Sequence, residues 1–277
     1  MIVRGLVKYR LWLILLVIAL AAVCIWLTAS ASEVALWPQE PGKNVKRDGN
    51  LKVDIGYTDQ GYIHVALAEA GSNTYKMRVA AGGTTLTYNL NNKGNFEIIP
   101  LQLGDGYYEI TLYKNVTGKK YSSAGRVTFS AWAKSKDICF LYPNQYVNYT
   151  IESEAVKKSD ELCAGMTSKQ AYDAICNFMK SSFAYDFVKA MTVKAGTLPD
   201  VDGTFKKKIG ICQDLSAVMC CMLRAQGIPA RLTIGYADSS YHAWVIIKKD
   251  GKELFFDPTA AVNGISKVKK YSAERYY

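Results

Sequence analysis

A cysteine lies where a loop enters a predicted helix, in the segment Gly210-Ile211-Cys212-Gln213-Asp214. The free backbone N–H groups and the partial positive charge at the first turn of a helix stabilise a thiolate, the nucleophilic form of cysteine. Lys206, Lys207 and Lys208, just upstream, either add to this stabilisation or form a solvated loop. Because many cysteines begin helices without reacting, the segment by itself indicates only a candidate nucleophile.

One of the two histidines of the chain, His242, lies on the first strand of a predicted hairpin. Asp250-Gly251 between two apolar runs is a signal for a two-residue hairpin turn. With that turn, His242 faces Thr259, and Asp257 lies two residues away on the same sheet face, within reach of the imidazole. The carboxylate would orient the imidazole and stabilise its charged form, and Trp244 on the same face would shield the pair from water. A nucleophile, a base and an orienting group are therefore available.

The elements that must hold these residues are helices followed by strands. One helix is predicted from about Thr167 to Ser181, with Thr167 and Gln170 in capping-box spacing. A second helix follows Cys212 and ends at Gly227, before Pro229. Strands are predicted next at Ala230–Tyr236, His242–Lys248 and Glu253–Asp257. The second half of the chain is therefore predicted to be α+β, with an antiparallel sheet.

At this point the sequence resembles the core of the transglutaminase-like superfamily. The similarity covers roughly residues 150–262, and it rests on five blocks in the family's order, Gly210-Ile211-Cys212-Gln213-Asp214, Leu223–Arg231, Gly235-Tyr236, His242-Ala243-Trp244-Val245 and Asp257-Pro258-Thr259. The resemblance implies a papain-like fold in which Cys212 is the nucleophile, His242 the general base and Asp257 the group that orients it.

An oxyanion hole in such an enzyme needs donors aimed at the developing negative charge. The backbone N–H of Cys212 is one candidate, and the hydroxyl of Tyr185, in a segment that resembles the family's aromatic segment, is a second. Tyr185 could equally be a half-buried packing residue. Gln213, Trp244 and Tyr236 are further candidates for the oxyanion site or the cleft.

The first half of the chain has the pattern of a small β-sandwich. Seven short strands are expected to begin near residues 51, 62, 74, 84, 95, 107 and 119, with turn signals between them. This spacing predicts an Ig-like sandwich over residues 51–135, followed by the catalytic domain over 136–277. In the strand at 62, Ile63, Val65 and Leu67 should face the core, so His64 is expected to be an ordinary surface histidine. Residues 32–50 are predicted to be a polar linker.

Residues 1–31 predict export of everything that follows them. Arg4, Lys8 and Arg10 precede an uncharged apolar run over Leu11–Leu27, an order that leaves the N-terminus inside and the remainder outside. The length of this apolar run lies between that of a long signal-peptide core and that of a short membrane helix. Ala29-Ser30-Ala31 fits a signal peptidase, so a signal-anchor in the cell membrane and a secreted, cleaved form both remain open.

Composition limits the other kinds of partner. The net charge of +10 is spread over the whole chain, so no segment favours nucleic acid. Seven cysteines include no C-x-x-C pair, and with two histidines no metal site and no cofactor are predicted. Outside the cell disulfides are permitted, and a Cys139–Cys163 bridge is conceivable. The oligomeric state is not indicated.

Two classes of function follow. In the favoured one, the protein is an extracytoplasmic cysteine enzyme that attacks an amide through an acyl-thioester. Water as the acceptor makes it a peptidase or amidase, which we favour for a protein or cell-wall peptide substrate, and an amine makes it a cross-linking acyltransferase. In the alternative, the same fold is a catalytically silent module that binds the cell envelope; an adhesin whose sandwich is the active part is a third interpretation.

Overall fold

The computed structural model describes residues 35–249, 252–265 and 270–277. Its N-terminal part contains two four-stranded antiparallel sheets, built from β1 (Val45–Asp48), β2 (Leu51–Asp54), β3 (Tyr62–Leu67), β4 (Tyr75–Ala81), β5 (Thr84–Leu90), β6 (Glu97–Pro100), β7 (Gly106–Thr117) and β8 (Lys120–Ala131). The strand orders are β1-β2-β3-β6 and β5-β4-β7-β8. Side chains from both sheets, such as Val65, Met77 and Ile110, are fully buried in one apolar cluster. All seven predicted strands are present; the Ig-like relationship stays a prediction.

The interpretation of residues 45–48 as linker is wrong, because they form the edge strand β1 paired with β2. The segment before it is also held in place. The buried carboxylate of Asp54 accepts hydrogen bonds from the backbone N–H groups of Gly42, Lys43 and Asn44 at 2.6, 3.0 and 2.8 Å. The strand was missed because its sequence, VKRD, is polar on both faces, as an exposed edge strand can be.

The expected surface position of His64 is also wrong, because both faces of β3 are buried. Ile63 and Val65 face the sandwich core, as predicted. The opposite face is covered by Tyr57 and by Tyr142, which follows the sandwich in the chain. The ring of Tyr62 lies between those of His64 and Tyr142, with centroids 5.3 and 4.6 Å away.

The C-terminal part contains six helices and a four-stranded antiparallel sheet among its described residues. The helices are α1 (Glu154–Cys163), α2 (Ser168–Ser182), α3 (Phe187–Thr192), α4 (Val201–Lys207), α5 (Cys212–Ala225) and α6 (Pro258–Val262). The sheet has the order β13-β12-β11-β14, from β11 (Ala230–Ala237), β12 (Ser240–Lys249), β13 (Lys252–Phe256) and β14 (Tyr271–Tyr276). Two short strands, β9 (Ala184–Tyr185) and β10 (Ile209–Gly210), pair in parallel. The predicted α+β class is confirmed.

The predicted hairpin register is present. Lys249 pairs with Lys252 and Val245 with Phe256, as a two-residue turn requires, although Asp250 and Gly251 lie outside the described residues. The third predicted strand ends one residue early, because Asp257 caps helix α6 and does not continue β13. Thr259 therefore lies on a helix, but the diagonal from β12 to Asp257 is kept.

Helix α5 is the centre of this half. It packs against α1, α2 and α4 and against strands β11 and β12, and nearly all its side chains after Gln213 are buried. Near its end, the fully buried guanidinium of Arg224 donates hydrogen bonds to the carbonyl oxygens of Tyr142, Ala230 and Tyr277 at 2.7, 2.7 and 2.8 Å. One side chain therefore joins the segment leaving the sandwich, the start of β11 and the end of β14.

Within the described ranges, no helix is both long enough and apolar enough to cross a membrane. The predicted signal or anchor at residues 1–31, with its apolar run at 11–27, lies outside those ranges.

Candidate active site

Cys212 is the first residue of α5, directly after the short strand β10. The carboxylate of Asp214 accepts a hydrogen bond from the N–H of Ile211 at 3.0 Å and so closes the first turn. The first intrahelical bond runs from the N–H of Leu215 to the carbonyl of Ile211, which leaves the N–H groups at Cys212 and Gln213 without an intrahelical acceptor. The predicted position of the thiol at a helix start is therefore correct.

Gly210, two residues before the thiol, is required by close packing. A Cβ at this position would lie 2.8 Å from the Cβ of Asp214 and 2.9 Å from Cγ2 of Thr204. No larger residue fits without moving the first turn of α5 or the side chain of Thr204 in α4. The glycine therefore allows the loop to pass close to the helix that carries Cys212.

Tyr185 is placed beside the thiol by the pairing of β9 with β10. Its Cα partner is Gly210, and the N–H of Asp186 donates to the Gly210 carbonyl at 3.0 Å. Burial raises the pKa of the Tyr185 hydroxyl, and the nearby Cys212 adds to the effect. The hydroxyl is therefore a protonated donor at neutral pH, lining the same cleft as Cys212.

His242 and Asp257 are in contact, as the hairpin register predicts. His242 Nε2 lies 2.8 Å from Asp257 Oδ2, and the side chain of His242 is 14% exposed while that of Asp257 is buried. The other carboxylate oxygen, Oδ1, accepts a hydrogen bond from the N–H of Ala260 at 3.0 Å, because Asp257 is the N-cap of α6. With Nε2 facing Asp257, the ring nitrogen left for Cys212 is Nδ1.

Tyr271 is a site residue that the sequence interpretation missed. Its hydroxyl donates to Asp257 Oδ2 at 2.8 Å, the same oxygen that contacts His242. Burial and the neighbouring carboxylate raise the pKa of Tyr271, so the hydroxyl keeps its proton. Tyr271 begins β14, a strand that the sequence does not predict because the polar tail shows no alternation of polar and apolar residues. The only signal for Tyr271 in the sequence was its aromatic side chain.

The charge state of the pair follows from these contacts. Burial acts to lower the pKa of His242, but hydrogen bonds to Asp257 and Cys212 outweigh it and raise the pKa to about 9. For Asp257, burial acts to raise the pKa, and the bonds from His242, Ala260 and Tyr271 lower it overall. At neutral pH the site therefore holds an imidazolium next to a carboxylate, and Cys212 lines the cleft beside that imidazolium.

The three remaining candidates for the oxyanion site or the cleft lie in different places. Gln213 lines the cleft, but its amide donates to the carbonyl of Thr197 at 2.9 Å. Trp244 is buried next to His242, with ring centroids 6.4 Å apart, so it shields the pair as expected and is not part of the cleft wall. Tyr236 is not among the residues that line the cleft, but it packs on the ring of Tyr241, which does line it, so a cleft role for Tyr236 stays a prediction.

The cleft has a volume of about 480 Å³ and is open to solvent. One wall is formed by α3 and the loop after it, and the opposite wall by β11 and β12. The lining residues are Tyr185, Ala190, Val193, Lys194, Ala195, Gly196, Thr197, Ile211, Cys212, Gln213, Ile234, Tyr241, His242 and Ala243. Cys212 and His242 thus meet in a space that can hold several residues of an extended chain.

The other described cysteines are free thiols, so the conceivable Cys139–Cys163 bridge is not formed. Burial raises the pKa of Cys139, Cys176 and Cys220 to about 12. Buried thiols of this kind are unreactive. Over the described parts of the chain, no group of three or more His, Cys, Asp or Glu side chains could hold a metal ion.

Residues 158–258 match the family model of the transglutaminase-like superfamily. This segment is therefore a transglutaminase-like domain, and the fold that contains it is mixed α+β. No curated protein matches the chain.

Solved structures to which the chain is similar include a candidate cysteine protease from Cytophaga hutchinsonii, 14% identical, over 84% of this chain and 90% of that one, with a TM-score of 0.40. A candidate protease from Parabacteroides distasonis is 14% identical over 66% of this chain, with a TM-score of 0.32. Red sea bream transglutaminase is 12% identical over 71% of this chain, with a TM-score of 0.27. This chain spans 37% and 47% of the latter two.

Proposed function

We propose that the protein is an extracytoplasmic cysteine enzyme that breaks an amide bond through an acyl-thioester on Cys212. The observation that carries the proposal is the charged contact of 2.8 Å between His242 and Asp257, at an open cleft that Cys212 and His242 line together. The nearby Cys212 also contributes to the raised pKa of His242. A module that only binds peptides or glycans has no need for three such residues at one place. The silent binding module is therefore the second candidate.

In the first half of the reaction, Sγ of Cys212 attacks the carbonyl carbon of the bound amide. The oxygen that becomes negative is stabilised by the N–H of Cys212 and the hydroxyl of Tyr185. The tetrahedral intermediate collapses as the C–N bond breaks, and the imidazolium of His242 gives its proton to the leaving amine. The acyl group remains on Cys212 as a thioester, and Asp257 holds the now neutral imidazole in place.

In the second half, neutral His242 removes a proton from the acceptor as the acceptor attacks the thioester. The C–S bond breaks, Cys212 leaves as a thiolate, and the imidazolium is restored. We favour water as the acceptor, because the cleft is open and both Cys212 and His242 are partly exposed to it. The product is then a carboxylic acid, which makes the enzyme a peptidase or amidase acting on a protein or cell-wall peptide.

The location rests on residues 1–31. Basic residues before the apolar run 11–27 favour an N-terminus inside and the enzyme outside, either anchored in the cell membrane or released after Ala31. The partners are then a peptide substrate and the membrane. Nucleic acid is disfavoured because the excess of basic residues is not concentrated in any one segment.

The thiol itself tests the proposal. In the full chain, each cysteine is alkylated with iodoacetamide and its rate is followed by mass spectrometry, in the wild type and in His242→Ala. We expect Cys212 to react fastest by far and His242→Ala to slow it by about a hundredfold, while the buried thiols, the internal control, stay slow in both proteins. If Cys212 reacts no faster than Cys220, or is indifferent to His242, the binding module is the better description.

The acceptor is tested with the ester p-nitrophenyl acetate. It should acylate Cys212 with release of one nitrophenolate and leave Cys212→Ala unlabelled. The acetyl-enzyme should then decay at a rate that added glycine ethyl ester does not change. A decay that accelerates in proportion to the amine would identify a transferase.

A further inference from the structure

Helix α3 presents three large apolar side chains to solvent beside the cleft. Phe187, Val188 and Met191 are 65%, 69% and 81% exposed. Their spacing of i, i+1 and i+4 places them on one face of the helix. Single exposed apolar residues are ordinary, but three adjacent ones form a patch of the kind that usually contacts something. We call these three residues the apolar shelf.

The exposure of the shelf is not a sign of a loosely packed helix, because the opposite face of α3 contacts the first turn of α5, the helix that begins with Cys212. Lys189 Nζ lies 2.6 Å from Oδ2 of Asp214, a fully buried carboxylate in the first turn of α5. Asp186 caps α3 by accepting from the N–H of Lys189 at 2.8 Å, and its own N–H is bonded to Gly210. The shelf therefore has a defined position relative to Cys212.

The shelf is also continuous with the cleft. Ala190 of the same helix and Val193, the residue that follows the helix, line the cleft wall. At the other end, the ring of Tyr185, which lines the cleft next to Cys212, packs edge-on against Phe187 with centroids 5.0 Å apart. An extended chain that leaves Cys212 past Tyr185 therefore meets Phe187 and then Met191.

We infer that the apolar shelf binds a large apolar side chain of the substrate peptide, close to the bond that Cys212 attacks. The inference rests on the proposed function and narrows its substrate class. Burial of Phe187 and Met191 by a leucine-sized side chain is favourable, while a serine or a charged residue would cover the same surface without that gain. The enzyme should therefore select peptides with large apolar residues over peptides built from small and charged ones.

The probes are short peptides that alkylate Cys212 and differ in one side chain, Leu or Ser. One series has an iodoacetyl group at the N-terminus and the other a chloromethyl ketone at the C-terminus, so both directions away from Cys212 are sampled. In each case Sγ forms a C–S bond and halide leaves. The rates are measured in the full chain for the wild type, Phe187→Ser, Met191→Ser and the control Val116→Ser, which changes a valine of similar exposure, 66%, in the sandwich.

We expect the Leu probe of one series to react about tenfold faster than its Ser partner in the wild type and in Val116→Ser. Phe187→Ser and Met191→Ser should remove that preference and leave the iodoacetamide rate at Cys212 unchanged. Equal rates for Leu and Ser, or a preference that survives both substitutions, would overturn the inference while the proposed function stands. Slow iodoacetamide labelling of Cys212 in the wild type would instead refute the proposed function.

The alternative is that the apolar shelf contacts a membrane and not the substrate. If the wild type shows no preference for Leu, and Met191→Ser weakens binding to vesicles of phosphatidylcholine and phosphatidylglycerol, the shelf contacts lipid and the inference is wrong. Val116→Ser again serves as the control, because it removes a comparable exposed apolar side chain far from α3 in the chain.

Discussion

At the scale of single residues, the carboxylate of Asp257 is held from three directions. Its Oδ1 caps α6 through the N–H of Ala260, and its Oδ2 contacts both His242 and Tyr271 at 2.8 Å. A carboxylate with a rotation fixed in this way can keep His242 in one tautomer and one orientation, which is what an orienting group must do. Tyr271 is therefore a positioning residue for the imidazole.

Tyr271→Phe tests this role. The variant keeps the ring that packs on Trp244 and Phe255, at centroid distances of 5.0 and 4.3 Å, and removes only the hydroxyl. Loss of one hydrogen bond to a charged group is worth roughly 1.5 kcal/mol, so we expect the acylation rate with p-nitrophenyl acetate to fall about tenfold.

A positioning role predicts more than a lower rate. Because Tyr271 is one of the donors that lower the pKa of Asp257, the pH at which acylation fails on the acid side should rise in Tyr271→Phe. Tyr276→Phe, on the same strand but next to Arg231, is the matched control and should change neither quantity. An unchanged acid limb in Tyr271→Phe would show that the hydroxyl only contributes to packing.

At the scale of elements, α5, which begins with Cys212, is joined to α3, which forms a wall of the cleft, by the ion pair between Lys189 and Asp214. Asp214 also closes the turn before Cys212 through Ile211. One buried carboxylate thus connects the position of the thiol to the position of α3. Any change in that pair should therefore affect both reactivity and substrate selection.

Lys189→Met should leave the Asp214 carboxylate buried without its cation. We expect a loss of roughly 2 kcal/mol in unfolding free energy, less than for a fully buried pair, because the Lys189 side chain is 31% exposed. Urea unfolding measures that loss. Iodoacetamide labelling of Cys212 should slow in parallel. Lys189→Arg, which keeps the charge, should recover most of the stability and most of the labelling rate. If Lys189→Arg is labelled as slowly as Lys189→Met, the charge of residue 189 is not what sets the reactivity of Cys212.

At the scale of the whole molecule, the two histidines are shifted in opposite directions. The pKa of His242 is raised to about 9 through its bonds to Asp257 and Cys212, which outweigh burial. The pKa of His64 is lowered, mainly by burial among Tyr57, Tyr62 and Phe96, against a smaller opposing effect of Asp54. His242 belongs to the candidate site. His64 belongs to the aromatic cluster with Tyr57 and Tyr62, on which Tyr142 packs.

These shifts predict how stability depends on pH. For His242, whose folded pKa is above 6.5, the stabilisation is complete below pH 6.5 and is lost as the pH rises through about 9. For His64, whose folded pKa is below 6.5, the stabilisation is present above pH 6.5 and is lost as the pH falls through the folded pKa. The joint contribution to the free energy of unfolding is therefore greatest near pH 6.5.

Urea unfolding at pH 5, 6.5 and 9 measures this dependence. His64→Phe, which keeps a ring among Tyr57, Tyr62 and Phe96, should remove the His64 part of the loss at pH 5 and leave the loss at pH 9. His242→Ala should do the reverse. If His64→Phe unfolds with the same pH dependence as the wild type, His64 is not buried as the neutral form.

The sequence by itself determined the features that depend on local periodicity and on short turns. The seven sandwich strands, the helix capped by Thr167 and the register of β12 with β13 all follow from alternation, capping and turn length, which act between residues that are close in the sequence. The meeting of His242 with Asp257 is a consequence of that register and could be predicted without knowledge of anything distant. The thiol of Cys212 at a helix start was predictable for the same reason.

Only the tertiary structure decided the features that depend on what packs on a surface. His64 lies on a strand with a clear alternating pattern, yet it is buried because the rings of Tyr57, Tyr62 and Phe96 pack on it. Tyr142, 80 positions after Tyr62, in turn covers Tyr62. Tyr271 reaches Asp257 only because β14 returns to pair with β11, and Lys189 reaches Asp214 only because β9 pairs with β10. A strand or helix pattern records which side chains share a face, but the neighbour on that face is chosen by the fold of the whole chain.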